Sequence, residues 1–232
     1  MELSVALTTF NRFEWTIRAI EQVIDDERIK EFVIVDDAST DNSFLRLANH
    51  YKDNQKVRLI QQVKNRGMSY NKYTAVSYCR TQYVALWDSD NTFDKSYLDA
   101  LFASPMIAKQ VDVILCPEFA RPGFDYRDYC GLWINKSNVK ELMNDPIFRC
   151  LLNTCNYVFP RDEYLKIYKE DLSIKATDTI HFNYLWLLAG HSFYVVRDMQ
   201  YDHLQHSGSG FLQDLNHNMA KAKEIENLIK SL

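Results

Sequence analysis

Carboxylates at the ends of apolar runs are the first feature of this chain with a chemical consequence. Asp88-Ser89-Asp90 follows directly on Tyr83-Val84-Ala85-Leu86-Trp87, and Asp36-Asp37 ends the run Glu31-Phe32-Val33-Ile34-Val35. A third polar cluster, Thr8-Thr9-Phe10-Asn11-Arg12, closes the β-rich run that begins at Val5. Mg²⁺ and Mn²⁺ prefer oxygen ligands and combine one or two protein carboxylates with phosphate oxygens. A nucleoside diphosphate, itself multiply negative, binds beside Asp88 and Asp90 only with such a cation between them. The same ion stabilises the charge that builds on a departing diphosphate. An isolated Asp-x-Asp triplet is common by chance, and one acidic pair at a strand end is usually a helix cap or a solvated loop. Position is what distinguishes these, because open α/β sheets bind ligands beyond the carboxyl ends of their strands. Asp37 and Phe10, on adjacent strand ends, can hydrogen-bond and stack a flat heterocycle.

The elements that must hold these groups follow from periodicity. The Val5 run is followed by Phe13, Ile17, Ile20 and Ile24 at helical spacing. The continuous apolar run at 31–35 is the pattern of a parallel strand covered on both faces. Ser39-Thr40-Asp41 then supplies N-cap residues for a helix over about 43–51. The alternation continues with a strand over 57–61, a helix over 69–79 and a strand over 83–87. This strand, crossover, strand rhythm predicts an α/β protein with a parallel sheet flanked by helices. The second half is less regular. Its expected elements are a helix over 95–103, strands over 111–116, 132–134, 156–159 and 192–196, and a loop over 118–128. A helix starts near Arg161, the segment 177–189 is apolar nearly all round as in a buried helix, and an amphipathic helix spans 212–232. No repeat, low-complexity tract or linker divides the chain.

The motifs taken together resemble those of family 2 glycosyltransferases. They are Val5-Ala6-Leu7-Thr8-Thr9-Phe10-Asn11-Arg12, Ile34-Val35-Asp36-Asp37-Ala38-Ser39-Thr40-Asp41, Asn65-Arg66-Gly67 and Tyr83-Val84-Ala85-Leu86-Trp87-Asp88-Ser89-Asp90. Their order and spacing also match, and the set is far more specific than any member. The resemblance is strong over residues 3–95, looser over 105–150, and returns at 156–206. It implies a GT-A fold, a single Rossmann-like domain with a mostly parallel central sheet flanked by helices. Residues 1–232 would form this one domain, with a nucleotide-binding half (1–100) and an acceptor-binding half (101–232) ending in a helix.

The resemblance further implies that Thr8, Phe10, Arg12 and Asp37 hold the nucleobase and ribose, with Asp37 accepting the N–H of a pyrimidine. Asp88, Ser89 and Asp90 would hold the ribose, metal and diphosphate, the metal being Mn²⁺ or Mg²⁺ with Asp90 as direct ligand. Ala176-Thr177-Asp178 resembles the family's Glu-Asp motif, whose aspartate is the general base of inverting enzymes; here Thr177 replaces the Glu. The bland alternative for Asp178 is a helix N-cap. Tyr201-Asp202-His203-Leu204-Gln205-His206 lies where members supply a histidine to the metal, and His203 is preferred over His206. Ser207-Gly208-Ser209-Gly210 would be a loop closing over the diphosphate. Lys72-Tyr73 replaces an Arg-Asn pair of the third helix, and no role is assigned to Lys72. Tyr126, Tyr129 and Trp133 are aromatics for the acceptor side or for the core.

The implied activity is metal-dependent, inverting transfer of a sugar from a nucleoside diphosphate sugar, a UDP-sugar, to a hydroxyl of a saccharide or glycan acceptor. Two other readings compete. Nucleotidyl transfer normally shows a Gly-rich basic loop after the first strand, whereas residues 8–13 contain no glycine. A non-catalytic nucleotide-sugar or carbohydrate-binding module conflicts with the intact Asp88-Ser89-Asp90, while Thr177 before Asp178 keeps it open.

Composition narrows the partners. A net charge of −4 over 232 residues and scattered basic residues argue against nucleic acid and against a polybasic membrane patch. No stretch approaches the roughly 18 consecutive apolar residues of a membrane span. Five cysteines without a CxxC pair suit free thiols, and with no signal-peptide pattern at Met1-Glu2-Leu3-Ser4 the expected location is the cytoplasm.

Overall fold

The computed structural model describes residues 2–105, 112–204, 206 and 208–232. Its first half alternates β1 (Leu3–Thr9), α1 (Phe13–Ile20), β2 (Ile29–Asp36), α2 (Ser43–His50), β3 (Val57–Gln61), α3 (Met68–Tyr78), β4 (Tyr83–Asp88) and α4 (Lys95–Ala103). The second half contains β5 (Val113–Arg121), β6 (Phe124–Asp125), β7 (Trp133–Ile134), α5 (Val139–Leu142) and α6 (Pro146–Leu152). It continues through β8 (Tyr157–Pro160), α7 (Arg161–Ile167), α8 (Asp178–Leu188), β9 (Ser192–Asp202), α9 (Gly210–Gln213) and α10 (Leu215–Lys230).

One sheet runs through both halves in the order β3-β2-β1-β4-β8-β5-β9-β7, with β6 paired to β5. β1 is parallel to β2 and β4, β2 to β3, and β5 to β9. β8 enters antiparallel between β4 and β5. Successive side chains of a strand point to opposite faces, and here both faces are apolar. Leu3, Val5, Leu7, Phe32 and Ile34 pack on one core, while Ala6, Val33, Val35, Val84 and Leu86 pack on the other. Burial on both faces is why these strands read as unbroken apolar runs rather than alternating ones. From β1 the chain winds outward to β2 and β3, then returns to place β4 on β1's other edge. The sheet therefore has its topological switch between β1 and β4, where such folds open a crevice.

The second half departs from expectation in several places, α5, α6 and β6 among them being unforeseen. β5 runs on to Arg121, into the start of the segment expected to be a loop. Pro117 hid this continuation, because proline cannot donate to a sheet ladder and ordinarily stops a strand. It is tolerated here because the β5–β8 pairing is confined to Leu115 and Val158, and the β9 register shifts between Pro117 and Phe119. Val111, where the strand was expected to begin, lies outside the described residues. β9 likewise continues past Val196 to Asp202, with Asp198 at φ 64° breaking the alternation. The final helix is two, α9 and α10, separated at Asp214.

Tyr126 and Tyr129 belong to the core, and the Tyr129 hydroxyl donates to the Asp145 carboxylate. Trp133 lies on edge strand β7 against Tyr194.

Candidate active site

At the switch point Thr8 is the register partner of Asp88, and Thr9 that of Asp36. The three sequence clusters therefore stand side by side at one sheet edge. Asn11 fastens the loops together from a left-handed backbone, φ 54°, which Asn tolerates better than most residues. Its N–H donates to Ser39 Oγ at 2.8 Å, and its Oδ1 accepts the N–H groups of Thr40 at 2.8 Å and Asp41 at 3.2 Å. Beyond these ends lies an open cleft of about 1470 Å³. That exceeds the roughly 300–1,000 Å³ of a pocket for one drug-sized ligand. Thr8, Phe10, Arg12, Asp37, Asp88, Ser89, Asp90, Asp178 and His203 all line it. Phe10 is 39% exposed, which leaves a ring face open.

At the cleft floor is a buried cation that the sequence analysis left without a role. Lys72, on α3, is only 6% exposed. Its Nζ lies 2.9 Å from Asp178 Oδ2, 3.2 Å from Asp88 Oδ1 and 3.5 Å from Thr179 Oγ1. Burial alone would lower the ammonium's pKa, but Asp178 and Asp88 beside it hold it well above the ordinary lysine value. The Asp88 carboxyl is pushed up by burial, with Lys72 opposing and Asp90 and Asp178 adding to the rise. Asp178 is the first residue of α8; Thr177 is the cap and makes no side-chain cap bond. A carboxylate at this end of an 11-residue helix is favoured by the helix dipole.

Asp88 is itself held from behind. Asn156 Oδ1 accepts the Asp88 N–H at 2.8 Å, and the Asn156 carbonyl accepts the Tyr97 hydroxyl at 2.8 Å. Asn156 is 1% exposed and sits at φ 71°. Asp90 Oδ2 accepts from Arg12 Nη1 at 2.8 Å and lies 3.1 Å from His206 Nε2, whose ring packs on Trp15. Arg12 Nη2 also donates to the Gly208 carbonyl at 3.1 Å, tying the segment after β9 to the end of β1. Ser207, part of the loop expected to close over the diphosphate, lies outside the described residues.

His203 Nδ1 lies 3.1 Å from Asn91 Oδ1. An amide oxygen only accepts, so Nδ1 carries the proton and Nε2 keeps its lone pair. Burial lowers the His203 pKa, against the pull of Asp90 and Asp88, which also favours neutral imidazole. Among the described residues no group of three or more His, Cys, Asp or Glu is gathered tightly enough to hold a metal ion. The donor types nevertheless suit Mn²⁺ or Mg²⁺, with a carboxylate at Asp90, an oriented imidazole at His203 and a buried, unpartnered hydroxyl at Ser89.

Asp37 is engaged by the protein itself. Its Oδ1 accepts the Arg66 N–H at 2.8 Å and its Oδ2 the Gly67 N–H at 2.9 Å. Burial raises its pKa, and those two N–H groups oppose the rise. Each carboxylate oxygen has a second lone pair, so the Asn65-Arg66-Gly67 loop and a ligand N–H can share this carboxylate.

Comparison with known proteins decides the family. The model of "Glycosyl transferase family 2" matches residues 4–146. This chain belongs to that family. Among curated relatives, the cholesterol galactosyltransferase of Borreliella burgdorferi is 24% identical over 186 residues, 75% of this chain and 49% of its own length. Glycosyltransferase GlyG of Streptococcus pneumoniae is 21% identical over 173 residues, 71% of this chain and 56% of its own. The chain thus spans about half the length of these relatives. Among solved structures, S. aureus TarS 1-349 in complex with UDP-GlcNAc superposes with a TM-score of 0.75 at 18% identity, covering 99% of this chain and 65% of that one. The likeness shows the GT-A fold.

Lys72, Asn156, Asn91 and His206 are the cleft residues that sequence reasoning left without a role or set aside. Each is a polar residue whose partners are distant in the sequence, so none carried a local signal.

Proposed function

We propose that this chain transfers a sugar from a UDP-sugar to a hydroxyl of a saccharide or glycan acceptor, with inversion at the anomeric carbon. The observation that carries the proposal is Asp178, a buried carboxylate at a helix N-terminus, sharing one cleft with Asp88, Asp90 and the ends of β1 and β2. Family membership supports it, and the UDP-GlcNAc in the TarS complex supports uridine as the base.

In this mechanism residues 1–100 hold the donor and 101–232 the acceptor. Phe10 stacks on the base, Asp37 accepts its N–H, and Thr8 and Arg12 line the ribose and phosphate path. Asp178 takes the acceptor's proton as that oxygen bonds to the anomeric carbon. The bond from that carbon to the diphosphate oxygen breaks on the opposite side, and its electron pair leaves with UDP. Asp90 and His203, with Asp88 and Ser89 beside them, would hold Mn²⁺ or Mg²⁺, which supplies charge neutralisation for the diphosphate. Arg12 then has to share Asp90 or turn to a phosphate. The free state of all five cysteines supports a cytoplasmic setting, and no helix among the described residues is long and apolar enough to cross a membrane.

The test is thermal stabilisation by UDP, CDP, GDP and ADP, with and without Mn²⁺, on the native chain and on Asp90→Ala. A ligand at a hundred times its Kd contributes about 2.7 kcal/mol, or about 5–10 °C for a domain of this size. A Mn²⁺-dependent shift with UDP, lost in Asp90→Ala, is expected. No shift with any diphosphate in either condition refutes the proposal.

A further inference from the structure

Lys72 is a charged group of the cleft floor to which the transfer scheme gives no task. Its ammonium has three hydrogens and three acceptors within 3.5 Å, Asp178 Oδ2, Asp88 Oδ1 and Thr179 Oγ1. The acceptors around this ammonium are thus groups of the protein itself, two of them carboxylates in ion-pair range. Asp178 Oδ1, by contrast, has no hydrogen-bond partner among the described residues, although Asp178 lines the cleft. One carboxylate oxygen is thus fixed and the other is left over. Without the ammonium, two carboxylates from different elements, α8 and the end of β4, would face each other in a buried site. Like charges there repel strongly and one side chain would turn away.

We propose that Lys72 is a positioning residue for transfer. It locks Asp178 against Asp88, so that Asp178 Oδ1 is aimed at the acceptor hydroxyl while Asp88 stays beside the donor. The inference rests on Asp178 being the base. It assigns Lys72 no contact with UDP, the sugar or the acceptor. The lock joins the donor carboxylate to the acceptor-side carboxylate through one side chain of α3, so a shift of either is felt by the other.

The experiment has two arms. With UDP-GlcNAc as the probe and UDP release as the signal, Lys72→Met lowers kcat by about 100-fold, the cost of a roughly 1 Å misplacement. KM for UDP-GlcNAc stays within about threefold, and Lys72→Arg recovers kcat to within about tenfold of the native chain. A raised KM with kcat kept would make Lys72 a donor ligand and overturn the proposal, as would kcat within about threefold of native. The second arm needs no turnover, and measures Tm for Lys72→Met, Asp178→Asn and the double variant. Removing the cation strands buried charge, so the double variant should melt at or above Lys72→Met alone. Additive losses overturn the lock. If the native chain releases no UDP from UDP-GlcNAc, the donor assignment fails separately, and the melting cycle still decides Lys72.

Discussion

Replacing Asn156 separates two contributions that the structure joins in one side chain. Asn156 Oδ1 accepts the Asp88 N–H at 2.8 Å, and the residue adopts φ 71° while almost wholly buried. Asn156→Ala leaves the Asp88 N–H without its partner, at about 1–3 kcal/mol. It also puts a Cβ-bearing residue without Asn's local hydrogen bonding into the left-handed region, at about 1 kcal/mol. The sum is about 2–4 kcal/mol. At about 2–4 °C per kcal/mol for a chain of this length, Asn156→Ala should melt about 4–16 °C below native. Asn156→Gly loses the same hydrogen bond but relieves the backbone, so it should melt about 2–4 °C above the alanine variant. Differential scanning calorimetry of the three proteins in one buffer is sufficient. UDP should stabilise both variants less than native, since Asp88 loses its support. A glycine variant no more stable than the alanine one would falsify the account of the backbone. If both variants melt within about 1 °C of native, the hydrogen bond contributes nothing.

Other perturbations have equally definite outcomes. Asp178→Asn should cut UDP release by about 10²–10⁴-fold, the range for a lost general base, while UDP still raises Tm to within a degree or two of its effect on native. Gly67 sits at φ 84° and ψ 168°, a region essentially reserved for glycine, with open space where a Cβ would go, so Gly67→Ala meets no neighbour but should cost about 1–3 kcal/mol of backbone strain, or about 2–12 °C in Tm. Burial lowers the His181 pKa, with Asp171 pulling the other way and Lys221 adding to the fall. The unfolded chain therefore binds that proton more readily, and stability falls as pH drops through the unfolded value of about 6.5. His181→Gln should make the loss of Tm between pH 7 and pH 5 shallower, and an unchanged slope would show that His181 does not contribute to it.

The first half of the fold was legible because its inner strands β1, β2 and β4 are covered on both faces. Val33, Ile34 and Val35 form the unbroken, β-branched apolar run that such a strand favours, and Asp36-Asp37 marks its carboxyl end. Ligand chemistry at the ends of β1, β2 and β4 could therefore be read as a set before their adjacency was known. Where one residue breaks a local rule and a distant contact compensates, the sequence is silent. Pro117 reads as a strand stop, and only the register shift against β9 shows why it is not. Lys72 reads as one of many surface lysines, because its partners lie far from it in sequence, on β4 and α8. Asn156 signals nothing in one dimension, since neither its backbone angle nor its partner Asp88 is written nearby. Asp37, expected to accept a ligand N–H, also carries the Arg66-Gly67 loop, a duty that no motif discloses.

The antiparallel insertion of β8 has a consequence for how the chain matures. Asp88 and Asn156, bonded through backbone and side chain, are separated by 68 residues. A nascent chain that has emerged only as far as α4 can wind β1, β2, β3 and β4 together by short right-handed crossovers. Its β4 edge then stays open until β8 is synthesised. An unpaired apolar edge such as Tyr83-Val84-Ala85-Leu86 is a template for pairing with other chains, and closing so long a loop is slow relative to the local steps. The early part of the polypeptide thus depends on its late part for protection as well as for chemistry. Cutting the gene near residue 104 to isolate the donor half should therefore yield an aggregating fragment, not a small soluble nucleotide binder.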